Sequence, residues 1–389
     1  VTRDGAVPYA LLAVLWCAGL GAAGQFAKLS VPFEALRAAY PDAGLWLGPM
    51  VSMISGLGVV CGFFAGLLVA RLGYRRLLLW ALWTGAALSA VQALLPPVPL
   101  MLALRFVEGA SHLVIVVAAP TLMAQVSPER LRPAVMSVWS TFFGVAFAAT
   151  ATLGLPLVAT LGLPGLLGAH ALWMAAVALA ITGLLRGLPA SARSAAPLRP
   201  RAILQVHLRA YSAPALSAPA LGWFCYTLTY VALLTVLPAQ LAPADRGWAA
   251  ALMPLAGLAV SLSLGIWLLR FVSGVQLAMA GFALGAAGAL WLAQVPTAAG
   301  LAVALMACLG LVQSGSFAAI PQLAPAAADQ AQANGAMAQM GNLGNLLGTP
   351  LLLGLLALAG PGAIYWGLAL AYLLGLGLHA LQARRRARG

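Results

Sequence analysis

Apolar residues run along this chain in long blocks separated by short polar breaks. A helix needs about 20 apolar residues to cross a bilayer core. Runs of that order lie near 8–31, 44–70, 77–95, 99–125, 134–160, 165–187, 214–239, 246–270, 274–294, 297–322, 335–359 and 361–381. They predict an all-α membrane protein with twelve transmembrane helices. Most breaks are short, so neighbouring helices are antiparallel, and the even count puts both termini on one side. No cleavable signal peptide is expected. The first apolar run is long, has no clear cleavage site and leads into further spans.

The longest polar interruption is 188–211. It holds Pro189, Arg193, Pro197, Arg199 and Arg201, then the short amphipathic stretch Ile203–Tyr211. It predicts a cytoplasmic linker whose last part lies on the membrane surface. The linker separates an N-terminal six-helix bundle, 1–187, from a C-terminal one, 212–389, that ends in a basic tail. The halves echo each other. Gly66 precedes Arg71 by five positions and Gly265 precedes Arg270 by five. Gly109 precedes Pro120 by eleven, Gly310 precedes Pro321 by eleven, and Met136 falls on Met337 at that second offset. Two pseudo-symmetric six-helix bundles suit a transporter, whose site between halves opens to either side in turn.

Composition narrows the class. Hydrophobic residues make up 63% of the 389, charged residues 7%, and mean hydropathy is +0.99. Soluble domains carry about 25% charged residues, so both a soluble and a disordered chain are excluded. The net charge of +13 raises a nucleic-acid partner, but the positions of the charges answer it. With the N-terminus in the cytoplasm, sixteen of the 20 Lys and Arg fall on the cytoplasmic side, three outside (Lys28, Arg37, Arg246), and Arg105 within a span. That is the orientation bias of an inner (plasma) membrane protein with both termini cytoplasmic. The basic residues are topology markers and contacts for anionic lipid. Cys17, Cys61, Cys225 and Cys308 each sit alone in an apolar stretch, without disulfide or zinc spacing.

Ionisable residues inside a span are costly and usually line a pathway. Arg105, Glu108 and His112 sit at i, i+3 and i+7 of the fourth span, on one helical face. Entering from Pro99, Glu108 lies roughly 13 Å and His112 roughly 20 Å down, at 1.5 Å per residue. A carboxyl between a cation and a desolvating bilayer can load and release a proton as its surroundings change, and His112 adds a second titrating group. These three form the candidate proton-coupling site; the alternative is a static Arg105–Glu108 pair holding the helix in its bundle. Their second-half counterparts are Met306, Leu309 and Gln313, so the charged cluster belongs to one half.

Further candidates line a solute cavity. Gln25 sits in the first span, and Lys28, the lone lysine, is expected to snorkel to the interface. Trp223, Tyr226 and Tyr230 share a face of the seventh span and could stack on a flat or cationic solute. Gln313 in the tenth span and Asn342 in the eleventh add amides that bind solute or bond between helices. Met50/Met53, Met337/Met340 and His170/Met174 at one-turn spacing raise copper(I) transport as a remote option, but they fall on different helices. No catalytic or nucleotide-binding motif occurs, so the chain is read as no enzyme, without cofactor or bound metal, running on gradients.

The loop after the second span reads Gly66-Leu-Leu-Val-Ala70-Arg71-Leu-Gly73-Tyr-Arg75-Arg76. The fourth span carries Arg105-Phe-Val-Glu108-Gly109. In these motifs, and in architecture along the whole chain, the sequence resembles the major facilitator superfamily. Its Gly–Asp–Arg–Gly–Arg–Arg loop matches at Gly66, Arg71, Gly73, Arg75 and Arg76, with Ala70 where the family has Asp. The resemblance implies that these five residues form a cytoplasmic gate and that the first, fourth, seventh and tenth helices line a cavity. It also implies that Arg105 takes part in proton coupling. The fifth span has Gly144 and Gly154-Leu155-Pro156 in place of the Gly-Pro pair of many drug antiporters. The expected function is secondary active transport of a small solute by a monomer, coupled to protons. The rivals are a transporter-shaped assembly or scaffold factor, a uniporter, and a drug or metabolite efflux pump.

Overall fold

A computed structural model describes residues 9–185 and 200–388, and among these no strand occurs. The labelled helices are α1 (Tyr9–Ser30), α2 (Pro41–Cys61), α3 (Tyr74–Gln92), α4 (Val98–Val126), α5 (Glu129–Leu184), α6 (Pro200–Ser212), α7 (Pro214–Gln240), α8 (Arg246–Leu268), α9 (Gly274–Leu292), α10 (Ala299–Leu323), α11 (Ala327–Ala359) and α12 (Pro361–Arg388). Ten of these are long and apolar enough to cross a membrane. Two observations separate that number from the twelve expected. Helix α3, with 19 residues, is not among the ten, and the runs expected at 134–160 and 165–187 form one stretch of 56 residues, α5. Within α5 the helix is interrupted at Gly162, whose φ of +69° a side chain would strain. Pro164 follows two positions later and disfavours helical backbone before it.

The ends of the helices follow local chemistry. Pro97 caps α4 with Pro99 in its first turn, where a missing N–H costs nothing. Ser273 and Gln276 form a capping box at the start of α9. Of the expected linker 188–211, residues 188–199 lie outside the described residues, and the amphipathic part is helical, as α6.

The chain divides into two compact units, residues 1–43 with 64–196, and residues 44–63 with 197–389. In the first, a core of Leu15, Ala18, Leu78, Leu82, Ile115, Met174 and Ile181 joins α1, α3, α4 and the second part of α5. In the second, residues 44–63 pack on α11: the Gln339 amide donates to the Val59 carbonyl at 2.8 Å and accepts from Tyr211 of α6 at 2.8 Å. Arg209 of α6 pairs with Asp329 of α11 at 2.9 Å. A Cβ on Gly315 of α10 would lie 2.6 Å from the Gly274 carbonyl oxygen of α9, so those backbones touch. Such small-residue contacts are how helices associate where lipid removes the hydrophobic drive. The outside is apolar: Leu94, Leu153, Leu172, Leu358 and Leu370 are each more than two-thirds exposed, which suits lipid and not water.

Candidate functional site

Nine polar side chains converge within the first unit. Helix α1 supplies Gln25 and Lys28, one turn apart. Helix α3 supplies Ser89 and Gln92, also one turn apart. Helix α4 supplies Arg105, Glu108, Ser111 and His112, and α5 supplies His170. Lys28, Ser89, Gln92, Arg105 and Glu108 are all within 1% of complete burial.

Glu108 is the hub. Its Oε1 accepts from the Lys28 ammonium at 2.6 Å, and its Oε2 accepts from Arg105 and, at 2.9 Å, from the Gln92 amide. The Ser89 hydroxyl is a fourth, longer partner of Oε1, at 3.5 Å. All four partners are donors, an arrangement that suits an ionised carboxyl. Arg105 also donates to the Gln25 carbonyl at 2.7 Å, which ties α4 to α1. Lys28 donates in addition to Ser89 Oγ at 2.6 Å. Ser89 Oγ lies 2.8 Å from His170 Nδ1, and His170 Nε2 lies 2.9 Å from the Gly21 carbonyl oxygen. A carbonyl only accepts, so Nε2 carries a hydrogen. The Gln25 amide donates to Ser111 at 2.9 Å, and Ser111 donates to the Ala81 carbonyl at 2.7 Å.

The centre is tight because small residues surround it. A Cβ on Gly85, one turn before Ser89, would meet Met174 Cε at 2.6 Å, Ser111 Oγ at 2.7 Å and Gln25 Nε2 at 2.9 Å. With neutral imidazoles the cluster has two cations and one anion, a net positive charge shut away from water. Burying charge is costly unless it is paired and hydrogen-bonded, and here each charged group has at least two partners.

The structure brings Arg105, Glu108 and Gln25 together and sets His112 beside them. His112 Nδ1 donates to the Ala22 carbonyl at 3.0 Å and its ring meets Phe26 edge-on. Lys28 corrects the expectation of snorkelling: it is 1% exposed and bonded to Glu108. The partner is near enough that ion pairing outweighs reaching for the interface. His170 corrects its pairing with Met174 as soft metal ligands, since both ring nitrogens are already engaged. Sequence reasoning passed over Ser89 and Gln92 and saw His170 only as a partner of Met174. Their signal is a Ser and a Gln one turn apart in an apolar helix, and a lone buried His.

In the second unit, Trp223 stacks on Tyr226 at 4.4 Å between ring centroids, and Tyr226 lies 5.2 Å from Tyr230. The Tyr226 hydroxyl donates to Gln313 at 3.4 Å. Asn342 donates to the Ala338 carbonyl of its own helix at 2.8 Å, and its side chain lies against Gly58. Among the motif residues, Gly73 takes φ +99° between the short helix Ala65–Leu72 and α3, a turn that calls for glycine. Gly66, Arg71 and Arg76 are exposed and Arg75 is half-buried. The side chain of Ala70 lies outside the described residues.

No curated protein matches this sequence. Among solved structures, the human organic anion transporter MFSD10 (TETRAN) is similar at a TM-score of 0.70 and 20% identity, over 96% of this chain and 100% of that one. A D-xylose-proton symporter is similar at a TM-score of 0.76 and 16% identity, over 97% of each chain. At such identities the likeness is one of fold. The profile of the Major Facilitator Superfamily matches residues 10–328. The chain therefore belongs to the Major Facilitator Superfamily.

Proposed function

We propose that this protein is a secondary active transporter that carries a small solute across a membrane by alternating access, coupled to protons. The observation that carries the reading is the buried cluster of Lys28, Arg105 and Glu108, with Ser89, Gln92 and His170 around it. Ionisable groups at such depth persist where they serve a pathway. Glu108 is the residue on which coupling turns, with Arg105 fixing its place. His112, a turn further along α4, is a second titrating group.

The twelve spans of the reading are the ten long helices, with α3 as a further one and α5 counted as two on either side of Gly162. They make two halves, 1–187 and 212–389, joined by 188–211. The loop charges put both termini in the cytoplasm, in a cell's inner membrane, with the protein working as a monomer. Gly66, Arg71, Gly73, Arg75 and Arg76 act at the cytoplasmic gate.

The solute meets the ladder of Trp223, Tyr226 and Tyr230, whose faces suit a flat or ring-bearing compound, with Gln313 and Asn342 as polar contacts. The excess of one cation in the cluster favours an anionic solute, and one structurally similar protein is an organic anion transporter. The test is a thermal-shift screen of purified protein against organic anions, sugars and neutral metabolites at two pH values, followed by counterflow of each hit in proteoliposomes. A ligand that binds the native state raises the melting point by mass action. Counterflow of an organic anion that Trp223→Ala weakens is expected. Binding without counterflow would overturn the transport reading in favour of a scaffold or assembly role.

A further inference from the structure

We infer that Lys28, Ser89 and His170 form a proton relay, in which the exchangeable proton passes between Lys28 and His170 through the Ser89 hydroxyl. The inference rests on the proton-coupling reading and deepens it by naming the atoms between which the proton moves.

Two observations carry it. The first is the charge count: the two cations Lys28 and Arg105 share the single carboxylate of Glu108. Arg105 stays charged under any accessible condition. Neutrality of the buried cluster is therefore reached by the lysine giving up its proton. The second is continuity. Ser89 Oγ stands between Lys28 Nζ at 2.6 Å and His170 Nδ1 at 2.8 Å, and Gly21 fixes the hydrogen on the other ring nitrogen.

The chain of bonds reads equally well in both directions. In one state Lys28 is an ammonium that donates to Ser89, and the Ser89 hydroxyl donates to Nδ1. For the shift, one Nζ–H bond breaks as a hydrogen forms on Oγ, and the original Oγ–H bond breaks as one forms on Nδ1. Lys28 is then an amine that accepts from the Ser89 hydroxyl, and His170 is an imidazolium that donates to Ser89 and to Gly21. One positive charge has moved from α1 to α5. No heavy atom needs to travel and no electron is exchanged.

Lys28 is the member of the relay nearest to the counter-ion, bonded to Glu108 at 2.6 Å. The titratable and charged groups facing the relay are Arg105, Glu108 and His112 from α4 and His170 from α5; α3 contributes only the neutral Ser89 and Gln92. A solute that competes for Glu108, or a motion of α1 against α4, would alter the hold on Lys28 and send its proton down the relay. Groups coupled this closely titrate together and not as independent sites.

The test needs no solute, because Lys28 is the one lysine in the sequence. Full-length protein in nanodiscs, carrying carbon-13 at lysine Cε and nitrogen-15 in its histidines, gives a single lysine resonance. The His170 signal is assigned by its loss in His170→Gln. Spectra are taken from about pH 5 to about pH 9, spanning the ordinary imidazole value and approaching that of an amine. The expected result is a Lys28 signal that passes from ammonium to amine within this range, with the His170 ring signal changing at the same midpoint. In Ser89→Ala, which keeps both end groups, the two midpoints are expected to separate. A Lys28 signal fixed at the ammonium position throughout, or midpoints unmoved by Ser89→Ala, would overturn the relay. Flux distinguishes this from failure of the coupling reading. A proton gradient that still drives solute while Lys28 stays an ammonium retires the relay alone. A titrating Lys28 in a transporter indifferent to the gradient refutes coupling itself.

Discussion

Replacing Glu108 by Gln takes from the buried cluster its one anion and leaves the Lys28 ammonium and the Arg105 guanidinium facing each other through a neutral amide. Both cations donate to Glu108, and neither is more than 1% exposed. Removing one partner from a buried ion pair costs about 3–5 kcal/mol, since the other charge is left uncompensated. Two-state unfolding carries an entropy of about 2.1 cal/mol/K per residue, which for 389 residues is about 0.8 kcal/mol per degree. Glu108→Gln is therefore expected to lower the melting temperature by about 4–6 °C. Adding Lys28→Met removes one of the facing cations and is expected to recover about 2 kcal/mol, within the range of measured couplings between contacting residues. Lys28→Met alone keeps Arg105 paired one to one with Glu108 and costs less than Glu108→Gln. The assay is thermal unfolding of the four proteins in one detergent, followed by tryptophan fluorescence. A Glu108→Gln protein that melts within a degree of the parent would refute the reasoning. So would a double variant no more stable than Glu108→Gln, because the two cations would then not be coupled through this carboxylate.

Two further outcomes follow from the packing and the loops. Gly85→Leu drives a side chain into Met174, Ser111 and Gln25, so it should cost about 1–3 kcal/mol of stability and abolish solute counterflow, read by melting and in proteoliposomes. The Tyr40 hydroxyl, in the connection between α1 and α2, donates to the Pro96 carbonyl at 2.8 Å, and burial pushes its pKa up to about 12. The folded chain thus holds the neutral phenol where the unfolded chain, titrating near 10, has lost it. Its contribution is full below about pH 10 and falls away as pH rises towards 12, so Tyr40→Phe should flatten the alkaline decline of the melting temperature; an unchanged decline would contradict the account.

The spans were legible because long apolar runs admit few alternatives. The run near 8–31 is α1, and the run near 99–125 is α4. The place where two expected spans become one stretch, α5, was less so, because a glycine at positive φ interrupts the helix without a polar loop. Arg105 and Glu108 were found by their charge within a span, and i, i+3 spacing was enough to pair them. Lys28 was misread because sequence gives its depth and not its partner: Glu108 lies 80 residues away in the chain. Ser89 and Gln92 were invisible for the same reason, and His170 was visible only beside Met174, its neighbour in sequence. Each is unremarkable alone, and each acquires meaning only where α1, α3, α4 and α5 meet. That Trp223, Tyr226 and Tyr230 share one face of a single helix was legible from their spacing, whereas their stacking on one another was not.

The most direct measurement of the central claim is the movement of protons with solute in proteoliposomes carrying an internal pH dye, with the hit from the binding screen as solute. The account predicts that solute addition changes internal pH in the parent protein, and that an imposed pH gradient drives solute accumulation. It predicts that Glu108→Gln abolishes both while solute counterflow survives in part. Solute flux in the parent protein without any pH change, or full gradient-driven accumulation by Glu108→Gln, would contradict it.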